Sequence, residues 1–359
     1  MTFKISSSTK VLKTRAALAE KVRFLSDPFA LGQTGTMVEV IESRMSYVFL
    51  VGDRAYKFKK PLRRPLQDFS TLKARLANCQ AEVALNRRLA PEVYLGVEPL
   101  TRTPTGGLEL GGTGRPVEWL VVMRRLPRDL MLDRILAAGK LTQDRIERLS
   151  LRLASFFVAT STRSDQGAAY RTRLRAEQQE NRRVHTRRRF TFAHARLPAV
   201  IDRMESALSR NGDLLEARAK KGRLIDGHGD LRPEHICFSD GLDIIDCLEF
   251  NAELRLTDPV EEIAYLGMEC EFLGTPELGL ALFARIMAVT GDHAREGLFH
   301  LHFARKGLLR ARLMLAHLVD PSPRLPEKWE PLAARYLALT EKGLDRLDAQ
   351  EDAALRPVR

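Results

Sequence analysis

The stretch from Leu224 to Phe250, LIDGHGDLRPEHICFSDGLDIIDCLEF, most constrains what this chain can fold into. Two short apolar runs lie on either side of a Ser-Asp-Gly turn, and Asp-Gly between apolar runs is a strong β-hairpin signal. Asp230 precedes the hairpin in a His-Gly-Asp-Leu loop, and Asp246 follows the second strand. Because a hairpin brings its two ends together, the pattern predicts that these two carboxylates face one space.

A pair of carboxylates facing one space suits phosphoryl transfer. One carboxylate orients the attacking hydroxyl and accepts its proton, and another holds the magnesium ion that neutralises the transferring phosphate. Asp230 fits the first role and Asp246 the second.

The segments before this stretch predict a small antiparallel sheet. From Met37 to Lys60 the apolar residues alternate or form short β-branched blocks, which predicts three consecutive antiparallel strands. A helical pattern follows from about Phe69 to Leu89, and VYLGVEPL and VEWLVVMRRL then form a second hairpin around a glycine-rich turn. Helical periodicity dominates from Leu130 onwards, so the sequence indicates an α+β protein.

Together, His228-Gly229-Asp230-Leu231 and Ile244-Ile245-Asp246 resemble the aminoglycoside-phosphotransferase family of the protein-kinase-like superfamily. Within that family the chain is similar to a bacterial branch of uncharacterised aminoglycoside-phosphotransferase-like enzymes. The resemblance spans roughly residues 37 to 315. It implies a protein-kinase-like two-lobed fold, with an antiparallel-sheet N-lobe and a mostly helical C-lobe, and it implies ATP and Mg²⁺ as cofactors.

The sequence pattern and this resemblance together predict four segments of the chain. They are leader helices over 1–36, a nucleotide-binding N-lobe over 37–127, a helical C-lobe over 128–343 that carries the catalytic loop and hairpin 224–250, and a tail over 344–359.

The chain departs from the family at one metal position. The family places an Asn five residues after the catalytic aspartate as a second metal ligand, whereas this chain has His235. Magnesium prefers oxygen to imidazole nitrogen, so a two-magnesium site is in question. His235 either contacts metal or phosphate or fills the space, and Glu234 or Glu249 are alternative oxygen ligands.

The third predicted strand has the character of the strand whose lysine grips the α- and β-phosphates in kinases. Lys57 and Lys59 are two residues apart and share one strand face, so both are candidates, and Lys57 is preferred. Glu82 on the following helix is the candidate ion-pair partner. Its alternative role is that of a solvated surface carboxylate.

The resemblance implies two further parts of the nucleotide site. The turn between the first two strands has no glycine, so backbone N–H groups and the Ser43 or Ser46 hydroxyl are expected to replace a glycine-rich phosphate loop. The strand that ends in Val122, Met123 and Arg124 is expected to meet the adenine edge through backbone groups, or else to be a buried sheet strand.

Composition indicates the cellular compartment in which the protein is expected. No apolar run approaches the 18 to 20 residues or so of a spanning helix, and the N-terminus lacks the apolar core of a signal peptide. The four cysteines are far apart, as in a reducing compartment, which predicts neither disulfides nor a zinc site. We therefore expect a soluble, cytoplasmic protein with no membrane partner.

The net charge of +12 is compatible with an anionic ligand of any size. The leading prediction is an ATP- and Mg²⁺-dependent phosphotransferase acting on a small-molecule hydroxyl, since no Ala-Pro-Glu segment of protein kinases follows Asp246. One alternative is a catalytically impaired, pseudokinase-like nucleotide-binding regulator, based on His235 and on the missing glycine-rich loop. A disfavoured one is a nucleic-acid-binding protein that uses the arginine-rich segment 171–189. The acceptor, ATP versus GTP, and the oligomeric state stay open.

Overall fold

The computed structural model of the protein describes residues 16–64, 67–160, 166–185, 190, 196–319 and 323–355. Residues 1–15 of the predicted leader and residues 186–189 of the arginine-rich segment lie outside these ranges. The chain divides into two compact units, Met1–Leu130 with Ser239–Asn251 and Met131–Phe238 with Ala252–Arg359. The first unit is therefore built from two separate stretches of chain.

The first unit is organised around an antiparallel sheet. Its strands in chain order, with one additional small hairpin, are β1 (Glu39–Glu42), β2 (Ser46–Val51), β3 (Arg54–Lys59), β4 (Arg63–Arg64), β5 (Gln67–Asp68), β6 (Tyr94–Arg102), β7 (Leu108–Leu110) and β8 (Arg115–Arg124). Six of them form one sheet in the order β1-β2-β3-β8-β6-β7, and β4 and β5 form a separate two-stranded sheet.

The turn between β2 and β3 sets the register of the lysine strand. Val51 pairs with Arg54 across a two-residue loop, and Gly52 in that loop has a φ of 54°. Two-residue hairpin loops need positive φ, which glycine adopts without strain. Counting back from this turn pairs Val48 with Lys57. The three consecutive strands predicted before Lys60 are present.

Helices cover both faces of this sheet. On one face Leu25, from helix α1 over residues 16–25, packs with Phe58. On the other face Val83, from α2 (Leu72–Asn86), packs with Ala55. Side chains alternate along a strand, so Lys57 lies on the α2 face with Ala55.

The second unit is mostly helical. Its helices are α3 (Leu132–Ala137), α4 (Gln143–Ala159), α5 (Gly167–His185), α6 (Leu197–Arg210), α7 (Gly212–Lys220), α8 (Ala252–Arg255), α9 (Pro259–Phe272), α10 (Glu277–Thr290), α11 (Glu296–Leu318) and α12 (Pro326–Leu355). The remaining strands are β9 (Ile225–Asp226), β10 (Ile236–Cys237), β11 (Asp243–Ile244, in the first unit) and β12 (Leu256–Thr257).

Glycines let two core helices of the second unit approach closely. A Cβ atom added at Gly267 of α9 would lie 2.8 Å from the Cα atom of Gly279 of α10. Asp258 caps the N-terminus of α9, and its carboxylate accepts the N–H of Val260 at 2.9 Å. Asp and Pro at a helix start satisfy the unpaired N–H groups and the backbone angle of the first turn.

The last helix continues where the sequence predicts a tail. α12 extends to Leu355, and Leu344 and Leu347 are each 1% exposed. These apolar residues are three positions apart and face the core of the second unit, so burial keeps this part helical. No helix in the described ranges has the length and apolar character needed to cross a bilayer.

The arginines of α5 are largely neutralised by neighbouring carboxylates. Arg182 lies 2.6 Å from Asp202 and 2.8 Å from Glu205, and Arg183 lies 2.6 Å from Glu180. These pairs are partly exposed, so each contributes little stability. They are typical of a solvated helix face.

Candidate active site

Lys57 lies at the centre of a charged cluster in the first unit. Its Nζ atom is 2.8 Å from Glu82 Oε1 and 2.8 Å from Asp246 Oδ1. Burial by itself lowers the pKa of this ammonium, but the Asp246 and Glu82 carboxylates outweigh burial and hold its pKa well above the ordinary range. Lys57 therefore stays charged at every physiological pH.

Lys59 occupies the deeper side of the same cluster. Its Nζ atom is 2.6 Å from Glu82 Oε2 and 2.7 Å from Glu249 Oε1. The Glu249 side chain is 8% exposed, whereas that of Asp246, which contacts Lys57, is 44% exposed. Of the two lysines that the sequence leaves open, Lys57 is thus the one that contacts a solvent-accessible carboxylate.

Glu82 is fully buried and serves both lysines. Burial raises the pKa of its carboxyl group, but Lys57 and Lys59 outweigh this and hold the pKa below the ordinary value. An isolated buried carboxylate is strongly destabilising, so this geometry depends on both cations being present. Of the two roles considered for Glu82, the structure has it in the ion pair.

The backbone of Asp246 is held in an unusual conformation. Asp246 has a φ of 62°, in the left-handed region that residues other than glycine rarely adopt. Its N–H group donates to Tyr94 Oη at 3.1 Å, and the next N–H, of Cys247, donates to Asn86 Oδ1 at 2.9 Å. Asn86 in turn donates to the Glu82 carbonyl oxygen at 2.9 Å. Two buried side chains thus fix the direction in which Asp246 presents its carboxylate.

Asp230 lies in the second unit. Tyr265 Oη of α9 donates to Asp230 Oδ1 at 2.9 Å, and Arg232 Nη1 is 3.7 Å from Asp230 Oδ2. Burial and the nearby Asp230 carboxylate raise the pKa of Tyr265 well above its ordinary value, so its hydroxyl remains a donor. The Asp230 side chain keeps 26% of its surface exposed. It is therefore oriented by protein contacts while still open to a ligand.

The loop that carries Asp230 is supported by α9. Glu262 Oε1 accepts the Gly229 N–H at 2.7 Å, and a Cβ atom added at Gly227 would lie 2.6 Å from the same oxygen. Gly229 has a φ of 84°, which favours glycine. Burial raises the pKa of Glu262 to about 7. The two glycines of Gly-His-Gly-Asp therefore allow this carboxylate to lie against the loop.

His235 binds back to the loop that carries Asp230. Its Nδ1 atom lies 2.8 Å from the Asp230 carbonyl oxygen. A carbonyl oxygen only accepts, so Nδ1 carries the proton, and in the neutral ring Nε2 is the possible ligand atom. Among the described residues, no group of three or more His, Cys, Asp or Glu side chains is arranged to hold a metal. Mg²⁺ commonly binds through one or two carboxylates plus substrate phosphates, and the half-exposed Asp246 suits that mode.

The two serines of the β1–β2 turn are engaged with each other. Ser43 Oγ accepts the N–H groups of Met45 and Ser46 at 3.2 Å and 2.9 Å, and it lies 2.9 Å from Ser46 Oγ. The Lys60 ammonium donates to the Ser43 carbonyl oxygen at 2.6 Å. These hydroxyls thus define the shape of a glycine-free turn, a role that the sequence does not suggest.

The three predicted strand-end residues divide between the sheet faces. Val122 pairs with Tyr56 and packs on the α1 face, whereas Met123 pairs with Ala55 and packs on the α2 face. The Arg124 side chain is exposed, and its N–H donates to the Val93 carbonyl oxygen at 2.8 Å. Of the three side chains, Met123 shares the face of Lys57.

The sequence prediction did not include a row of apolar residues that lies beside Lys57. Ile41 pairs with Val48, and Val48 pairs with Lys57, so all three share one face. Leu50 and Ala55 lie one step further along the same face. The Gly52-Asp53 turn sets the register between β2 and β3, so counting back from this turn in the sequence would have identified the residues that share the face of Lys57. Nothing in the local sequence marks Tyr94 or Asn86.

Comparison with known proteins finds distant and partial matches. No family model matches the chain. Uncharacterized proteins of Mycobacterium tuberculosis (strain H37Rv) and Mycobacterium bovis are 33% identical over 298 residues, which is 80% of this chain and 56% of theirs. The chain thus spans about half the length of the curated relatives it matches.

Solved structures identify the fold. The GDP complex of aminoglycoside 2'-phosphotransferase-IIIa aligns over 91% of this chain and 99% of its own, with a TM-score of 0.53 and 16% identity. A choline/ethanolamine kinase family protein from Mesorhizobium loti aligns over 91% and 97%, also with 0.53 and 16%. Choline kinase from Cryptosporidium parvum aligns over 93% and 96%, with 0.53 and 10%. The predicted α+β, kinase-like fold is confirmed.

Proposed function

Because the chain has the fold of aminoglycoside phosphotransferases and choline kinases, we propose that it transfers the γ-phosphoryl group of ATP to a hydroxyl of a small molecule. The observation that carries this proposal is the position of Lys57 Nζ, 2.8 Å from both Glu82 and Asp246. A buried lysine that is paired with one enclosed and one accessible carboxylate can exchange the accessible carboxylate for a phosphate while the enclosed carboxylate keeps it in place.

In this proposal the first unit binds the nucleotide. Lys57 moves from Asp246 to the α- and β-phosphates while Glu82 continues to hold it, and Lys59 keeps Glu82 neutralised from behind. The face formed by Ile41, Val48 and the neighbouring apolar residues receives the base. Asp246 would hold Mg²⁺, and a bound Mg²⁺ would supply positive charge to the phosphate oxygens.

The second unit activates the acceptor. Asp230 accepts the proton of the acceptor hydroxyl while that oxygen bonds to the γ-phosphorus and the bond from phosphorus to the leaving ADP oxygen breaks. Tyr265 and Arg232 orient the Asp230 carboxylate for this task.

His235 fits one of the two tasks of the usual Asn. Its bond to the Asp230 carbonyl oxygen holds the loop as an amide N–H would. Mg²⁺ disfavours nitrogen ligands such as the His235 ring. We therefore assign the principal metal contact to Asp246 and the loop contact to His235.

The test is thermal unfolding with ATP or GTP, each with and without Mg²⁺, on wild type, Asp246→Ala and Asp230→Asn. Ligands that bind only the folded state raise the melting temperature. Wild type should be stabilised by Mg²⁺ with one of the nucleotides, Asp246→Ala should lose the Mg²⁺-dependent part, and Asp230→Asn should retain it.

Turnover is measured on the same proteins with a panel of small hydroxyl compounds. Asp230→Asn should abolish transfer while keeping the nucleotide shift, and Asp240→Asn, which changes an exposed aspartate of the Ser-Asp-Gly turn, is the matched control. A protein that no nucleotide stabilises would overturn the proposal. Stabilisation without turnover on any acceptor would favour the nucleotide-binding regulator.

A further inference from the structure

The first unit contains a cleft away from the Lys57 cluster. It has a volume of about 760 Å³ and is formed by the start of α1, the first turns of α2 and the Arg115 end of β8. Sites that hold drug-sized ligands have volumes of about 300–1,000 Å³. The cleft is therefore large enough for two or three side chains of another molecule.

The floor of this cleft is apolar and includes an aromatic ring. Trp119 of β8 and Leu76 of α2 lie in it, beside Val117 and Pro116. Tryptophan on a protein surface is enriched where partners bind, because it provides a large rigid contact area. An inorganic anion would leave this floor in contact with water, whereas an apolar side chain would cover it.

The rim of the cleft has a single sign of charge. Of the described residues that line it, none is acidic and four are basic, namely Lys21, Lys73, Arg102 and Arg115. Lys21 is paired with the buried Glu118 at 2.8 Å, and Arg102 with Glu20 at 2.9 Å.

Two of these four cations are available to a ligand. Lys73 and Arg115 have exposed side chains, and within the part of the chain that the structure describes they form no ion pair or side-chain hydrogen bond. Glu118 adds no net negative charge here because Lys21 and Arg75 share it, at 2.8 Å and 2.6 Å. The rim is therefore positively charged overall.

We propose that this cleft is a docking site for an acidic segment of a partner protein that carries an apolar anchor side chain. The anchor would lie on Trp119 and Leu76, and flanking carboxylates would pair with Lys73 and Arg115. The chain's own residues 1–15 do not complement the rim, because they contain four basic and no acidic residues. Charge complementarity thus selects an acidic occupant.

Docking here would act on a helix that the active site shares. Leu72, Lys73 and Leu76 of α2 line the cleft, and the same helix carries Glu82 and Asn86. Both sets of residues lie on one continuous helix, so the occupant would contact the helix that positions Lys57 and Asp246. This consequence rests on the proposed function, but the docking itself does not.

Binding is measured without nucleotide, so the result is independent of any phosphotransferase activity. The probe is a fluorescein-labelled peptide in which one phenylalanine and one leucine are flanked by glutamates and aspartates. The matched peptide has lysine at every acidic position. Fluorescence anisotropy should show saturable, salt-sensitive binding of the acidic peptide only.

The site is located by charge reversal. Lys73→Glu with Arg115→Glu should weaken binding about tenfold, since two exposed charge contacts become repulsive. The matched control, Lys140→Glu with Lys220→Glu, changes two exposed lysines of the second unit and should leave binding unchanged. Circular dichroism melts establish that both variants fold, and Lys73→Ala with Arg115→Ala provides a milder second test.

Tryptophan fluorescence reports on the apolar floor of the cleft. The chain has two tryptophans, so in Trp329→Phe the emission comes from Trp119 alone and should shift when the acidic peptide binds. Absence of saturable binding, equal binding of the lysine peptide, an unchanged affinity after charge reversal, or an unchanged Trp119 emission would each overturn the proposal.

Discussion

Replacing Tyr94 by Phe tests whether the backbone of Asp246 is held by side chains from elsewhere in the first unit. Tyr94 is 1% exposed, and its hydroxyl accepts the Asp246 N–H at 3.1 Å. The substitution keeps the ring and removes only this acceptor. An N–H left without a partner costs about 1–3 kcal/mol when fully buried, and the Asp246 N–H is part-buried, so a loss near the lower end is expected. Left-handed backbone in a residue other than glycine also costs about 1–3 kcal/mol.

The expected result is that Asp246 relaxes from its φ of 62° and presents its carboxylate less often beside Lys57. A loss of about 1.4 kcal/mol corresponds to a tenfold change in an equilibrium constant. We therefore expect the Mg²⁺ concentration for half-maximal thermal stabilisation, at fixed ATP, to rise about tenfold. Nucleotide binding without Mg²⁺ should change much less.

The chain offers matched controls. Tyr56→Phe removes a hydroxyl of the same sheet from a residue that packs on the α1 face. Asn86→Leu should act like Tyr94→Phe, because Asn86 accepts the Cys247 N–H, whereas Asn78→Leu changes a buried amide of the same helix.

Combining Tyr94→Phe with Asp246→Ala should add no further loss of the Mg²⁺ effect, since the group being positioned is gone. Equal Mg²⁺ dependence of Tyr94→Phe and Tyr56→Phe would show that the Tyr94 hydroxyl does not position Asp246. A further loss of the Mg²⁺ effect in the double variant, beyond that of Asp246→Ala alone, would show that Tyr94 acts on another group.

Three further outcomes follow from the same geometry. Lys57→Met should weaken nucleotide binding about tenfold or more, whereas Lys59→Met should mainly lower the melting temperature, because breaking a buried pair costs about 3–5 kcal/mol; equal effects on nucleotide titration would contradict this distinction. The pKa of Glu262 is raised in the folded state from 4.5 to about 7, so its contribution to stability is present below pH 4.5 and is lost as pH rises through 7. The unfolding free energy of wild type relative to Glu262→Gln should thus fall by about 3 kcal/mol across that interval in denaturant titrations, and a flat difference would show that the pKa is not raised. Gly267→Ala should destabilise by about 1–3 kcal/mol, because the added Cβ meets the Gly279 backbone at 2.8 Å, and a neutral effect would mean that α9 and α10 can separate.

Local features of the sequence were sufficient for a substantial part of the fold. The Gly52-Asp53 turn and the alternation around it define three strands and their register, because hairpin geometry depends on a few adjacent residues. The kinase-like fold was implied by the family resemblance, which rests on the motif around Asp230 and the order of the strands and helix before it. These signals depend on residues that are close together in the chain, so they can be identified from a single sequence.

Tertiary structure alone decided how the candidate site is assembled. Lys57 and Lys59 are equivalent by strand periodicity, and only the positions of Asp246 and Glu249, which lie 189 and 190 residues further along the chain, distinguish them. Tyr94 accepts the Asp246 N–H from 152 positions away, and Asn86 accepts the Cys247 N–H from 161 positions away. Periodicity describes which face a side chain occupies but not what lies opposite it, and these contacts depend on how distant segments pack.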